Sequence, residues 1–140
     1  MDTLYKTTGT ATGGRDGHAK TADGALDIKL TAPKELGGPG GEGTNPEQLF
    51  ACGYSACFLG AMQFVGGQEG LKVPAETTVT ADVSLGKRED GEGFSIAVDL
   101  NVGLPGMDRK DAEALVEKAH VVCPYSYATK GNIDVNTTLV

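Results

Sequence analysis

The stretch NPEQLFACGYSACFLGAMQFVGG, Asn45 to Gly67, constrains the fold more than any other, because it carries a single charged residue, Glu47. Asn45 can accept from first-turn amides as an N-cap, and Pro46 suits the first helical position. Gln48 stands where a capping box places an amide side chain. Gly66-Gly67 supplies a C-terminal stop, since glycine tolerates the left-handed conformation there. Between these ends almost every residue is apolar or small, which predicts a helix buried on most sides. A membrane span would need roughly 20 clean apolar residues. The run from Leu49 to Val65 is marginal in length and is broken by Ser55, Gln63 and two glycines, so the reading is a core helix without a membrane span.

Gly53, Cys57, Gly60 and Ala61 fall on one stripe at helical spacing. All are small, so another helix can approach closely beside the Cys57 thiol. Taken alone, the stretch favours a buried, inert cysteine, a residue type commonly found in cores. A reactive Cys57 must be a thiolate. It lies some three turns into the helix, beyond the pull of the N-terminal dipole. A cation must therefore come from elsewhere, and the chain has only Arg15, Arg88 and Arg109 as arginines.

The 140 residues suit one domain, residues 1–140, and 39% apolar residues allow a modest core. A net charge of −7 argues against nucleic acid and anionic membrane surfaces as partners. The opening MDTLYKTTGT lacks the basic-then-apolar layout of a signal peptide, so a cytoplasmic location is expected. Three cysteines in a reducing compartment point to catalysis, redox sensing or metal binding rather than to a structural framework.

Along the chain, residues 3–12, 18–22 and 25–31 read as strands, the last two joined by a hairpin at Asp23-Gly24. This meander has little apolar mass and needs a helix or a second subunit to cover it. The Gly/Pro-rich residues 33–44 form a loop leading to the helix. Strands follow at 75–87 and 94–104 around the charged turn KREDGEG. Asp108 caps a second helix whose inner face carries Ala112, Leu115, Val116, Ala119 and Val122, and Pro124 stops it after Cys123. A strand with Ile133, Val135, Thr137 and Leu139 on one side ends the chain. The order βββ-α-ββ-α-β predicts an α+β fold with an antiparallel sheet, a long buried central helix and a second helix.

Cys52 and Cys57 are five residues apart, about 140° around the helix and roughly 7.5 Å along it, so they cannot bridge. Cys57 and Cys123 can meet if the second helix packs on the first; the sequence permits this without requiring it. His120 and Cys123 form an H-x-x-C pair, but two His and three Cys make a thin ligand set and no metal is expected. Neither a G-x-S-x-G nucleophile signature nor a phosphate-loop lysine is present. Arg15, in the glycine turn GGRDGHA, reads either as an exposed turn residue or as a cation carried to another surface.

The segments GGRDGHA, LDIKL, ELGGPGG, TNPEQLFACGYSACFLGA and AHVVCPYSYATKGNIDV together resemble the organic hydroperoxide resistance protein family, a branch of the osmotically inducible (OsmC-like) superfamily. The resemblance covers essentially the whole chain. It implies a thiol peroxidase that reduces organic hydroperoxides to alcohols. Carried over by motif, Cys57 in YSACF is the peroxidatic thiol and Cys123 in HVVCPYS the resolving thiol. Arg15 stabilises the thiolate and orients the peroxide, and Glu47 in NPEQLF holds the guanidinium. The cycle implied runs through a sulfenic acid and a Cys57–Cys123 disulfide. No cofactor is bound, and a lipoylated protein or dihydrolipoamide is the reductant.

Glu47 lies ten residues before Cys57, about 15 Å along a straight helix. It joins its own Cys57 only if the helix breaks; otherwise a second copy supplies it, which predicts an intertwined homodimer with active sites at the subunit interface. Cys52, Tyr127 and Lys130 depart from the family pattern, where Ala, Asn and Arg are expected. Two other readings stay open: a redox sensor that oxidises at Cys57 without turnover, and a peroxidase of the wider superfamily with another substrate preference.

Overall fold

A computed structural model describes residues 1–140. The chain divides into two compact units, Met1–Leu49 and Phe50–Val140.

In the first unit, strands β1 (Gly9–Thr12), β2 (His18–Thr21) and β3 (Asp27–Lys29) form an antiparallel sheet in the order β1-β2-β3. The predicted hairpin is present: Asp23 Oδ1 accepts from the Ala25 amide at 3.0 Å and from Thr21 Oγ1 at 2.7 Å. The first strand is shorter than expected. The Thr8 carbonyl still accepts from the Ala22 amide at 2.9 Å, but residues 3–7 join no ladder, and Leu4 and Tyr5 are exposed. The loop over 33–44 returns to β3, where the Thr31 amide donates to the Thr44 carbonyl, the Thr44 amide donates to the Lys29 carbonyl, and Thr31 Oγ1 donates to the Glu42 carbonyl at 2.6 Å.

Helix α1 (Pro46–Glu69) starts as predicted, with Asn45 Oδ1 accepting from the Gln48 amide at 2.9 Å. The Gln48 side chain is held by the Thr44 hydroxyl at 2.8 Å instead of closing a capping box on Asn45. The helix runs through Gly66-Gly67 and stops at Gly70, whose φ of 71° provides the left-handed stop. Its burial is also narrower than predicted. Tyr54, Phe58, Ala61, Met62, Val65 and Gly66 are buried, whereas Cys52, Ala56, Gly60, Gln63, Phe64 and Gly67 are exposed. The helix is long and apolar enough to cross a membrane, but with Tyr54, Phe58 and Met62 fully enclosed in a protein core it is not a membrane span.

The second unit adds strands β4 (Thr78–Lys87) and β5 (Phe94–Gly103), paired antiparallel from Thr78↔Gly103 to Lys87↔Phe94. Strand β6 (Val135–Leu139) runs parallel to β5, from Val98↔Val135 to Val102↔Leu139. The expected all-antiparallel sheet is therefore mixed, since a helical crossover separates β5 from β6 and returns the chain in the same direction. The crossover holds α2 (Arg109–Val122), capped as predicted by Asp108, which accepts from the Lys110 and Asp111 amides. Ala112, Leu115, Val116 and Ala119 are buried, but Val122, the last residue of the helix, is exposed. Pro124 does more than end α2. It opens a third helix, α3 (Pro124–Thr129), which the sequence reading missed, with Cys123 at the corner in extended geometry (φ −65°, ψ 120°).

The core joins Tyr54, Phe58, Met62 and Val65 of α1, Val98, Leu100 and Val102 of β5, and the inner face of α2. Each fully buried side chain of this size contributes roughly 1.5–3 kcal/mol. Cys123 is buried inside this cluster and Cys57 packs at its margin.

Candidate active site

The two units hold two separate constellations. In the second, the Cys57 and Cys123 sulfurs lie 3.5 Å apart as free thiols, Cys57 partly exposed and Cys123 buried. The packing of α2 against α1 that the sequence left open thus brings this pair together. Cys52 stays exposed on another face of α1. Burial pushes the Cys57 thiol above its ordinary value, the Tyr125 backbone amide pulls it down, and the neighbouring Cys123 sulfur pushes it up again. The net direction is upward, so this unit by itself keeps Cys57 protonated at neutral pH.

The amide of Tyr125 is a contributor that the sequence reading missed. Its only signal was Pro124, which marks a helix start as readily as a helix end. Phe50, Tyr54 and Tyr125 form an aromatic cluster next to Cys57, each pair of ring centroids 5.8 Å apart. Tyr125 also corrects the expected small-residue stripe. Its ring lies over Gly53, where a Cβ would sit 3.2 Å from the phenol oxygen, and Ala61 is buried. The open small face of α1 is instead Cys52, Ala56, Gly60 and Gly67. This open face is shifted around the axis from the predicted stripe.

His120 does not pair with Cys123 as a ligand: its Nδ1 faces Ser126 Oγ at 2.8 Å and its Nε2 faces Thr137 Oγ1 at 2.7 Å. Tyr127 and Lys130 are solvent-exposed and exposed side by side with Gly131 around a cleft also lined by His120 and Ser126.

In the first unit, Arg15 stands in a one-turn helix, Gly14–Asp16, with Gly17 behind it. A Cβ on Gly17 would meet the Thr12 carbonyl oxygen at 1.8 Å, so only glycine permits this turn. Asp16 Oδ1 accepts from the Ala32 amide at 2.9 Å and ties the turn to the segment after β3. Arg15 then reaches Glu47 in a two-pronged pair, Nη1 to Oε2 and Nη2 to Oε1, both 2.7 Å. The pairing holds the Glu47 carboxyl below its usual range and raises the guanidinium further. Arg15 is therefore no plain turn residue: a fixed, oriented cation is what it presents. The break in α1 that would let Glu47 turn back on its own Cys57 is absent, since the helix is continuous.

The chain matches the family model described as OsmC-like protein over residues 38–138. It is 56% identical over 136 residues to the organic hydroperoxide resistance protein of Xanthomonas axonopodis pv. citri, covering 97% of this chain and 94% of that one. Among solved structures it is similar to the organic hydroperoxide resistance protein OhrB of Bacillus subtilis (TM-score 0.89, 43% identity, 99% and 100% coverage). It is also similar to a Vibrio cholerae protein crystallised with captopril in one of its active sites (TM-score 0.92, 43% identity, 99% and 94% coverage). The chain belongs to the OsmC-like family, among its organic hydroperoxide resistance proteins.

Proposed function

We propose that this protein detoxifies organic hydroperoxides as a cysteine-based peroxidase. The carrying observation is the thiol pair: two free sulfurs 3.5 Å apart, one partly exposed and one buried. The Cys57 thiolate attacks the distal peroxide oxygen, the O–O bond breaks, and the alkoxide takes a proton and leaves as alcohol. Cys57 is left as a sulfenic acid. The Cys123 sulfur attacks it, the S–O bond breaks, and the hydroxyl leaves as water with the Cys123 proton. Hydroperoxide and two thiols thus become alcohol, water and one disulfide. The aromatic cluster at Phe50 and Tyr125 supplies an apolar wall suited to an organic substituent.

Reduction needs a reagent that reaches Cys57, because Cys123 is fully enclosed. A dithiol attacks the exposed sulfur and then closes on itself, releasing both protein thiols. A lipoyl group, on a protein or as dihydrolipoamide, has this chemistry, and the cytoplasm maintains the reducing conditions for it.

The cation that the raised Cys57 thiol requires is Arg15, oriented by Glu47 and supplied from a second copy. The continuous α1 supports that assignment, since ten residues of helix separate Glu47 from Cys57 by about 15 Å. So do the uncharged open face at Cys52, Ala56 and Gly60 and residues 3–7, outside any strand, with exposed Leu4 and Tyr5. Both are surfaces that an intertwined homodimer would cover.

Intact mass and thiol counting after one equivalent of an alkyl hydroperoxide test the chemistry. A Cys57–Cys123 disulfide is expected; a bridge containing Cys52 overturns it. Continuous turnover with dihydrolipoamide separates an enzyme from a sensor that oxidises once. Mixing inactive Glu47→Ala and Cys57→Ser proteins should restore part of the activity through hybrid dimers. No restoration after verified subunit exchange removes the shared site.

A further inference from the structure

The disulfide step needs the corner at Cys123 to stay in place, and a chain of buried hydroxyls is arranged to hold it. Tyr54 stands one turn before Cys57 on α1, and His120 stands one turn before Cys123 on α2. Both reach the same oxygen, Ser126 Oγ on α3: the Tyr54 hydroxyl at 2.9 Å and His120 Nδ1 at 2.8 Å. The far nitrogen of His120 is anchored on β6 through Thr137 Oγ1 at 2.7 Å. The imidazole also packs against Phe58, the neighbour of Cys57, with centroids 4.5 Å apart.

A serine hydroxyl has one proton and two lone pairs. One sense that closes the chain has Tyr54 O–H donating to Ser126, Ser126 O–H to His120 Nδ1, and His120 Nε2–H to Thr137; the reverse sense, from Thr137 to Tyr54, closes it as well. Both use a neutral imidazole, the form that burial of His120 favours. Ser126 lies three residues after Cys123 and His120 three before, so the corner is gripped on both sides.

We propose that the Ser126 hydroxyl, by bridging Tyr54 and His120, is a positioning group that keeps Cys123 within reach of Cys57 for disulfide closure. This rests on the peroxidase reading for its biological meaning, but not for its test. Closing the bridge shortens 3.5 Å to about 2.05 Å. With the corner fixed, rotation of the two cysteine side chains supplies most of that change. With the hydroxyl removed, the corner is free to drift, and a misplacement on the order of 1 Å costs up to roughly a hundredfold in rate. Ser126 touches neither sulfur, so the first oxidation of Cys57 does not depend on it.

The test separates the two steps. In Ser126→Ala, dimedone trapping should show Cys57 sulfenic acid forming within about twofold of the normal rate, while disulfide closure slows roughly tenfold to a hundredfold. Sulfenic acid then accumulates and excess hydroperoxide carries it to sulfinic acid. Ser126→Thr, which keeps a hydroxyl, should recover closure. Tyr54→Phe removes one arm of the bridge with the ring retained and should slow closure as well.

Closure driven by diamide, a dithiol oxidant, measures the same geometry without a peroxide. If diamide closes the wild-type pair but hydroperoxide fails to oxidise Cys57, the peroxidase reading falls and the positioning role stands. The positioning role is overturned if Ser126→Ala closes at the normal rate in folded protein. It is equally overturned if both steps drop together in Ser126→Ala and Tyr54→Phe, or if diamide fails to close the wild-type pair.

Discussion

Residues 1–49 bury only Leu30, Thr31 and Ala32, and all four residues of β1 are exposed. Residues 50–140 hold the core cluster, with Tyr54, Phe58, Met62, Leu100 and Cys123 fully enclosed. The chemistry divides the same way. The thiol pair is placed by packing, whereas the Arg15–Glu47 pair is placed by a glycine turn and two charge-assisted bonds. Packing that brings two sulfurs together also desolvates them, and desolvation opposes the thiolate the reaction needs. The unit that builds the thiol pair therefore works against its activation, and on the proposed reading the correcting charge is the Arg15 guanidinium held in the unit with almost no core.

The largest effect should come from the packed side. Phe58→Ala removes a fully buried ring that contacts His120, and should lower stability by roughly 3–5 kcal/mol. Leu4→Ala in the first unit should cost nothing in a monomer, because Leu4 is almost completely exposed. Denaturant melts read both. A concentration-dependent loss in Leu4→Ala would mean that the segment is covered in an assembly, which is the outcome the shared-site reading expects.

Next is the charge itself. Arg15→Ala should reduce the second-order rate with an alkyl hydroperoxide at neutral pH by roughly 10²–10³. The sign of the pH dependence follows from the raised Cys57 thiol. Below its shifted value the sulfur is protonated, so the variant's rate should climb further into alkaline pH than that of the wild type. Stopped-flow rates from pH 6 to beyond pH 9, roughly the span of perturbed thiols, distinguish the cases. A variant with an unshifted profile would show that the second unit ionises Cys57 unaided.

Glu47→Gln tests the holder rather than the cation. A charge-assisted hydrogen bond contributes about 1.5–3 kcal/mol, so a loss of roughly tenfold to a hundredfold is expected, no larger than that for Arg15→Ala. In the wild type the Glu47 carboxyl is held low by Arg15. Its contribution is complete above the ordinary carboxylate value and is lost only as pH falls through the depressed one. Between neutral pH and mild acid, the wild-type rate should follow the Cys57 thiolate alone. A second inflection near the ordinary carboxylate range would break the pairing argument.

The contrast between the units also explains what the sequence disclosed. Alternation in β5, the Asp108 cap and the apolar run of α1 are local patterns, and each appears where expected. The two pairs named from the family motifs are each in contact: Arg15 meets Glu47, and Cys57 meets Cys123. What stayed hidden depends on side chains distant in sequence finding one another. Pro124 gave no sign that a new helix would place the Tyr125 amide by Cys57. Nor did the small stripe reveal that Tyr125 would cover Gly53. The shortfall of β1 has the same origin: residues 3–7 have strand composition, but a strand forms only where an edge accepts it. The parallel return of β6 was set by the length of the α2–α3 crossover, which alternation within β6 cannot express.

The smallest effect belongs to Cys52, which shares α1 with Cys57 but not its surroundings. It is exposed on the open face, beside a shallow apolar depression bounded by Ala56, Leu59, Val79 and Ala81. Alanine has the higher helix propensity, so Cys52→Ala should change stability by no more than about 0.5 kcal/mol, toward greater stability. The rate of Cys57–Cys123 closure should be unaltered, because Cys52 lies on another side of the helix. A fall in dimer stability of more than about 1 kcal/mol would place the subunit seam over residue 52, since only a covered position gives so large an effect for so small a change. A change in closure would mean that Cys52 exchanges with the redox pair, which would extend the chemistry onto the open face of α1.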